Sequence, residues 1–347
     1  MSQFTSRDVA RLAGVSQSTV SYVMSGRRSV SEETRQRVLR AMRRLDYEPN
    51  AGARALAGRR THVIGLMAPS PSVSDPHGYG HMPFIESVAK FARSQDYEML
   101  LVSADDGSAG LRRLAGRALC DGIIMMEIAT QDERVRLAAS LPISVVLIGV
   151  PADPLGLSCV DADFEQAARL AIGELADSDH DEVLIVNYPA DIVQRRVNFV
   201  ERFITSAQWN ARSRGLELGV LDPGAPSPDL VKGSVDRILR RASRARVGVV
   251  VPHHRVKRML VRELGRREAI LGQDLSLITV GDDPLADEGD PQYTGISLRP
   301  WEVSQRAAEV LFARLDDQGS ESGPTVDLIA PQLERHGTVM PASAVAP

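Results

Sequence analysis

The chain has 347 residues, 43% hydrophobic and 25% charged, with a net charge of −4 and two cysteines. Such a length exceeds one domain and predicts two or three globular units. Cys120 and Cys159 lie 39 positions apart with no CxxC spacing, so a zinc site or disulfide framework has nothing to build on and both read as small apolar fillers. The opening MSQFTSR has no apolar h-region, and the longest apolar run, Ile143 to Val150, falls far short of a membrane span. The expectation is a soluble, cytoplasmic protein without a membrane partner.

The net charge conceals an asymmetry. Residues 1–60 carry 12 Arg and 5 acidic residues, a charge of +7, whereas the remainder carries 29 basic and 40 acidic residues, a charge of −11. A basic head on an acidic body implies that the head alone meets a polyanion.

From Thr5 to Tyr47 the periodicity is helical. Thr5 with Asp8 three residues on reads as an N-cap, and Val9 and Leu12 make a short apolar stripe that stops at Gly14. Ser16 caps a second helix that turns Val20, Val23 and Met24 inward. After the loop SGRRSV, Ser31 caps a third, with Glu32 and Glu33 in its positive first turn and Val38, Met42 and Leu45 on one face. Pro49 is expected to stop that helix, and NAGARALAGRR follows as a short Ala-rich linker, ending its regular part at Gly58. From His62 the runs VIGLMAP, EMLLVSA, GIIMMEIA, ISVVLIGV, EVLIVNYP, VGVVVP and LSLITV alternate with helical stretches such as FIESVAKFARSQ and DFEQAARLAIGELA. Continuous apolar runs separated by helices predict parallel strands buried on both faces, an α/β doubly wound pattern with room for two sheets.

A short helix, a glycine turn and a second helix opening in small polar residues make a helix-turn-helix. The second helix of such a unit enters the major groove N-terminus first, which places Gln17, Ser18 and Tyr22 on base edges. Thr5, Ser16, Thr19, Ser21, Ser25, Arg27 and Ser31 are placed to contact phosphates, which position the protein without reading sequence.

The stretch FTSRDVARLAGVSQSTVSYVMSGRRSVSEETRQRVLRAMRRLDYEPNAGARALAGRR resembles the head of a LacI/GalR-type regulator, hinge included. VIGLMAP, CDGIIMM, VVLIGVPAD, VDADFEQAA and TGISLRPWEVSQRAAEVL sit where that family's core has corresponding segments. The resemblance implies an α/β chain with a three-helix helix-turn-helix head at 1–48, a hinge at 49–60 and a periplasmic-binding-protein-like core of two Rossmann-like subdomains at 61–347. The first subdomain would take about 61–162 and 292–322, and the second about 163–291 and 323–345. The resemblance further implies a nucleoid-associated homodimeric repressor on a pseudopalindromic double-stranded DNA operator. Its hinge would enter the minor groove through Asn50, Ala53, Leu56 and Ala57, with Leu56 wedged into a base step; Gly52 departs from that pattern.

The resemblance also implies a small-molecule effector, a sugar or sugar-like compound, between the subdomains, where strand carboxyl ends face a cleft. Arg195, in the pattern Arg-x-x-small-aromatic that ends at Phe199, is its foremost effector residue, joined by Asp282, His253, His254, His81 and Phe84. Three positions break the family's sugar-binding pattern: His253 and His254 replace an Asn-Asp pair, Gly149 stands where an Asp ends a strand, and Gly281 precedes Asp282 and Asp283. Either the effector is not an ordinary monosaccharide, or regulation runs through a protein partner or without an effector. No cofactor is implied and the adjacent histidines lack a third metal ligand. An enzyme is disfavoured, because GVSQS lacks the second glycine of a nucleophile elbow, GYGHMP stops short of GxGxxG, and DADFE, residues 161–165, reads as a helix start. A cytoplasmic solute-binding protein would suit the core but leaves the basic head without a purpose.

Overall fold

The computed structural model describes residues 4–25, 30–47, 60–72, 75–116, 119–223, 228–283, 285–286, 291–316 and 323–342, and within them the side chains of all but Ser25 and 228–230. Its first helices are α1, Ser6–Ala13, α2, Gln17–Ser25, and α3, Glu32–Arg44. The Thr5 backbone N–H and hydroxyl both donate to the Asp8 carboxylate, at 2.9 and 2.7 Å, which orders the start of α1. Gly14 ends α1 at φ 64°, a left-handed conformation that strains any side chain. Ser16 Oγ accepts from the Thr19 N–H at 3.1 Å and Ser31 Oγ from the Thr34 N–H at 3.4 Å, capping α2 and α3.

Val9, Ala10, Ala13, Val20, Met24, Val38 and Ala41 form the core of this head. Two expectations need correcting. Leu12 is 43% exposed, because Val9, Ala10 and Ala13 fill the inward face and Leu12 projects about 100° away from its middle. The third helix stops at Arg44, ahead of Pro49. Asp46 turns left-handed at φ 47°, and the N–H groups of Tyr47 and Asp46 donate to the Met42 and Arg43 carbonyls at 2.9 and 3.3 Å, a Schellman turn.

The core contains two six-stranded sheets. The first joins β1, Val63–Ala68, β2, Glu98–Ser103, β3, Gly122–Met125, β4, Ser144–Ile148, β5, Ser158–Ala162 and β11, Val326–Ile329, in the order β11-β5-β4-β3-β1-β2, all parallel. The second joins β6, Glu182–Val186, β7, Glu217–Leu221, β8, Val247–Val251, β9, Ser276–Val280, β10, Gly295–Ser297 and β12, Gln332–Glu334, in the order β12-β10-β9-β8-β6-β7, parallel except for β12. Helices α4, Met82–Ser94, α5, Gly107–Gly116, α6, Glu133–Ala139, and α12, Pro300–Asp316, belong to the first lobe. Helices α7, Phe164–Ala176, α8, Ala190–Gln194, α9, Asn198–Ser213, α10, Pro228–Ala242, and α11, His254–Arg266, belong to the second.

Central strands are buried on both faces, as their unbroken apolar runs predict. The run EMLLVS is the exception, since β2 is an edge strand and leaves Leu100 37% and Leu101 51% exposed. The chain crosses between lobes after Ala162, after Ser297 and after Ile329, the last two later than 291 and 322, because β10 pairs in the second sheet and β11 in the first. Cys120 and Cys159 are buried and unbridged. No helix among the described residues is long and apolar enough to cross a membrane.

Candidate functional site: a DNA-reading head and an interlobe cleft

The outer face of α2 presents Gln17, Ser18, Ser21 and Tyr22 to solvent, while Val20 and Met24 anchor its inner face. Gln17 Nε2 donates to Ser6 Oγ at 2.9 Å, which steadies its side chain at the tip of the helix. Ser16 Oγ lies 2.7 Å from Ser18 Oγ and 2.8 Å from Thr19 Oγ1, so the hydroxyls form a small network at the helix start. Arg35, Arg37, Arg40, Arg43 and Arg44 are exposed on α3. Among the residues expected to touch DNA, the side chain of Ser25 and residues Arg27, Asn50, Ala53, Leu56 and Ala57 lie outside those described.

A cleft of about 200 Å³ opens between the lobes. All six residues expected there line it: Arg195, Asp282, His253, His254, His81 and Phe84. Helix starts place most of them, for His81 precedes α4, His253 and His254 open α11, and Arg195 ends the short α8 just before α9.

Glu127 occupies the centre of the polar wall. Its Oε1 accepts from His81 Nε2 at 2.9 Å, and its Oε2 accepts from Arg195 Nη1 at 2.5 Å. Because Glu127 follows β3 and Arg195 follows β6, this pair spans the lobes. Segments 128–130 and 196–198 also meet in the backbone, with the Thr130 N–H donating to the Arg196 carbonyl and the Asn198 N–H to the Ile128 carbonyl, both at 3.1 Å.

Asp161, at the end of β5, accepts from Arg202 Nη1 at 2.6 Å, and Glu165 binds the same guanidinium through Oε2 at 2.7 Å. Burial pushes the Asp161 carboxyl up to about 7 in spite of that cation. His253 stacks on His254 at 4.8 Å and is held down to about 3, first by burial and then by its neighbour. Burial likewise lowers His254 and raises Tyr188. The apolar wall is aromatic: Phe164 and Phe199 stack at 5.2 Å, and Tyr188 lies 5.3 Å from Phe199.

Several lining residues carried little sequence signal. Asn198, the small position of the Arg195–Phe199 pattern, is 2% exposed with neither its Nδ2 nor its Oδ1 hydrogen-bonded. Asp161 was hidden inside a helix-start pattern; Asp163 caps α7 instead, accepting from the Gln166 N–H at 2.8 Å. Gly149 adopts φ 126°, and a Cβ there would lie 3.0 Å from Ile128 and 3.2 Å from Asn198, so an aspartate does not fit that backbone. Asp283 turns outward to Lys257 and Arg258; burial opposes its ionisation, yet hydrogen bonds from both cations hold it down to about 2.

Residues 5–50 match the family described as bacterial regulatory proteins, lacI family, and residues 195–339 match the periplasmic binding protein-like domain. Catabolite control protein A of Priestia megaterium is 33% identical over 184 residues, which span 52% of this chain and 54% of the relative, about half the length of each. HTH-type transcriptional regulator AglR of Rhizobium meliloti is 28% identical over 325 residues, 89% of this chain and 85% of the relative. The lac repressor dimer bound to operator and the anti-inducer ONPF shares the fold with a TM-score of 0.77 at 19% identity, over 98% of this chain and 100% of that one. The transcriptional regulator CelR-cellobiose complex does so at 0.64 and 20%, over 97% and 100%. A helix-turn-helix head on a two-lobed binding core defines a class, the DNA-binding transcriptional regulators, as distinct from enzymes. Within that class residues 5–50 are a lacI-family head, and the chain as a whole is similar to regulators of that family.

Proposed function

We propose that the chain is a repressor that binds a pseudopalindromic operator as a homodimer, at the nucleoid in the cytoplasm, and that a sugar or sugar-like effector in the cleft modulates its grip. Gln17, Ser18 and Tyr22 read base edges from α2; Thr5, Ser16, Thr19, Ser21, Ser25, Arg27 and Ser31 position the head on phosphates. Asn50, Ala53, Leu56 and Ala57 serve the minor groove, with Leu56 as the wedge.

The observation that carries the effector is the convergence of all six expected residues on one cleft that also holds an unpartnered, buried Asn198. A buried amide with neither donor nor acceptor satisfied costs about 1–3 kcal/mol per group, which a hydrogen-bonding ligand relieves. The deciding experiment selects bound DNA sequences from a random pool, then titrates the selected operator against sugars and nucleosides. Binding in the cleft and on the operator must shift each other by the same factor. Failure to enrich any sequence overturns the regulator; enrichment without any ligand effect overturns the effector.

A further inference from the structure

Five helices of 13 to 17 residues begin on the cleft: α4 at Met82, α7 at Phe164, α9 at Asn198, α11 at His254 and α12 at Pro300. Converging helix N-termini favour an anion. The chain supplies anions of its own. Asp75 accepts from the N–H groups of Tyr79 and Gly80 at 3.0 and 2.8 Å, and Asp282 from the Leu298 N–H at 3.2 Å. Asp161 accepts from the Ala162 N–H at 3.0 Å as well as from Arg202, and Glu127 takes Arg195 and His81. All four carboxylates line the cleft, whereas Arg195 is the only Lys or Arg among the described residues that does. Among the described residues lining the cleft, the buried polar groups left for a ligand are the amide of Asn198 and Nδ1 of His253 and of His81. Beside them lie the flat faces of Phe164, Phe199 and Tyr188.

We propose that Glu127 is a built-in counter-ion of Arg195, so that the cleft takes an uncharged ring compound with hydrogen-bonding edges and excludes phosphorylated or carboxylated ones. This deepens the effector reading above and rests on it. A ligand anion takes Arg195 Nη1 only by displacing Glu127, whose side chain is 10% exposed, and one at the rest of the guanidinium shares a single positive charge with Glu127. Any other seat along the described lining offers no lysine or arginine and shares the cleft with Asp75, Asp161 and Asp282. Both routes leave a buried negative charge uncompensated, which selects against the anion rather than merely failing to attract it.

Thermal unfolding of the full chain, titrated with inorganic phosphate at constant ionic strength, tests the inference. Wild type should show no saturable shift attributable to the cleft. Glu127→Gln releases the guanidinium and should bind phosphate about tenfold tighter or more, a gain that adding Arg195→Gln removes. A saturable shift of the wild type that Arg195→Gln abolishes overturns the inference, and so does a Glu127→Gln protein that unfolds cooperatively yet gains no phosphate binding. Paired sugars, nucleosides and their phosphates supply a test on the wild type alone: an uncharged member that shifts the transition more than its phosphate supports the counter-ion, and the reverse order refutes it. If no paired compound acts, the effector reading fails, while the phosphate titration still judges the counter-ion.

Discussion

His253 offers the sharpest perturbation because its protonation is coupled to folding. It is 8% exposed between Tyr188 and His254, and burial, reinforced by His254, lowers it from 6.5 to about 3. An unfolded histidine titrates near 6.5, so from there down to about 3 the unfolded chain binds a proton that the folded chain refuses. Its stabilising contribution is therefore full above pH 6.5 and is lost on acidification by about 1.4 kcal/mol per pH unit. His253→Gln keeps a polar side chain and removes the titration. Urea unfolding at pH 7.5 and 4.5 should show the wild type losing about 2–3 kcal/mol more than the variant between the two. Asp161 acts in the opposite sense: its folded pKa is raised to about 7, so its contribution is present below its ordinary value and lost as pH rises through 7. Being common to both proteins, it cancels in the comparison. Parallel pH profiles for wild type and variant would refute a buried neutral His253.

Arg202→Leu strands Asp161, whose side chain is 8% exposed, and should cost about 3–5 kcal/mol in urea unfolding at pH 8, a deficit that adding Asp161→Asn reduces. Gly14→Ala places a Cβ on a residue at φ 64° and should destabilise the head by about 1 kcal/mol in thermal unfolding, with Gly14→Asn costing less. Operator affinity should fall about a thousandfold or more from 50 to 200 mM salt if six to ten phosphates are neutralised; a flat response refutes the assigned DNA face.

The head was legible almost residue by residue because its signals are local. Thr5, Ser16 and Ser31 each cap a helix from a few residues away, and Gly14 marks a backbone conformation that few other residues tolerate. Leu12 escaped that logic: an eight-residue helix has an inner face too narrow for both Leu12 and the Ala10–Ala13 pair. In the core, the apolar runs announced β1–β4, β6, β8 and β9 but not the short or more polar β5, β7, β10, β11 and β12, and nothing in EMLLVS says that β2 has a neighbour on one side only. The cleft was legible where a family pattern or a helix start pointed to it, as for Arg195 and His253. Glu127 and Asp161 were not, since their partners Arg195 and Arg202 lie 68 and 41 residues away and only the packing of two lobes brings them together.

Those same long-range pairs set the scale on which an effector can act. Glu127–Arg195, Asp161–Arg202 and Thr130–Glu201 all join the first lobe to the second, around the backbone pairing of 128–130 with 196–198. Glu127 and Arg196 hold φ at 48° and 52° beside that pairing, conformations that persist because their surroundings impose them. The chain's own groups thus hold the lobes together, and a ligand alters operator affinity only by its differential affinity for alternative lobe arrangements. A tenfold change needs about 1.4 kcal/mol, comparable to one such hydrogen bond to a charged group. Thr130→Val removes the hydroxyl that donates to Glu201 at 2.9 Å while preserving side-chain shape. Because the bond is exposed, the expected change is modest, about two- to fivefold in operator affinity without any ligand, read by a binding titration. Unchanged operator affinity alongside lowered unfolding stability would show that the bridge holds the fold and leaves the lobe equilibrium untouched.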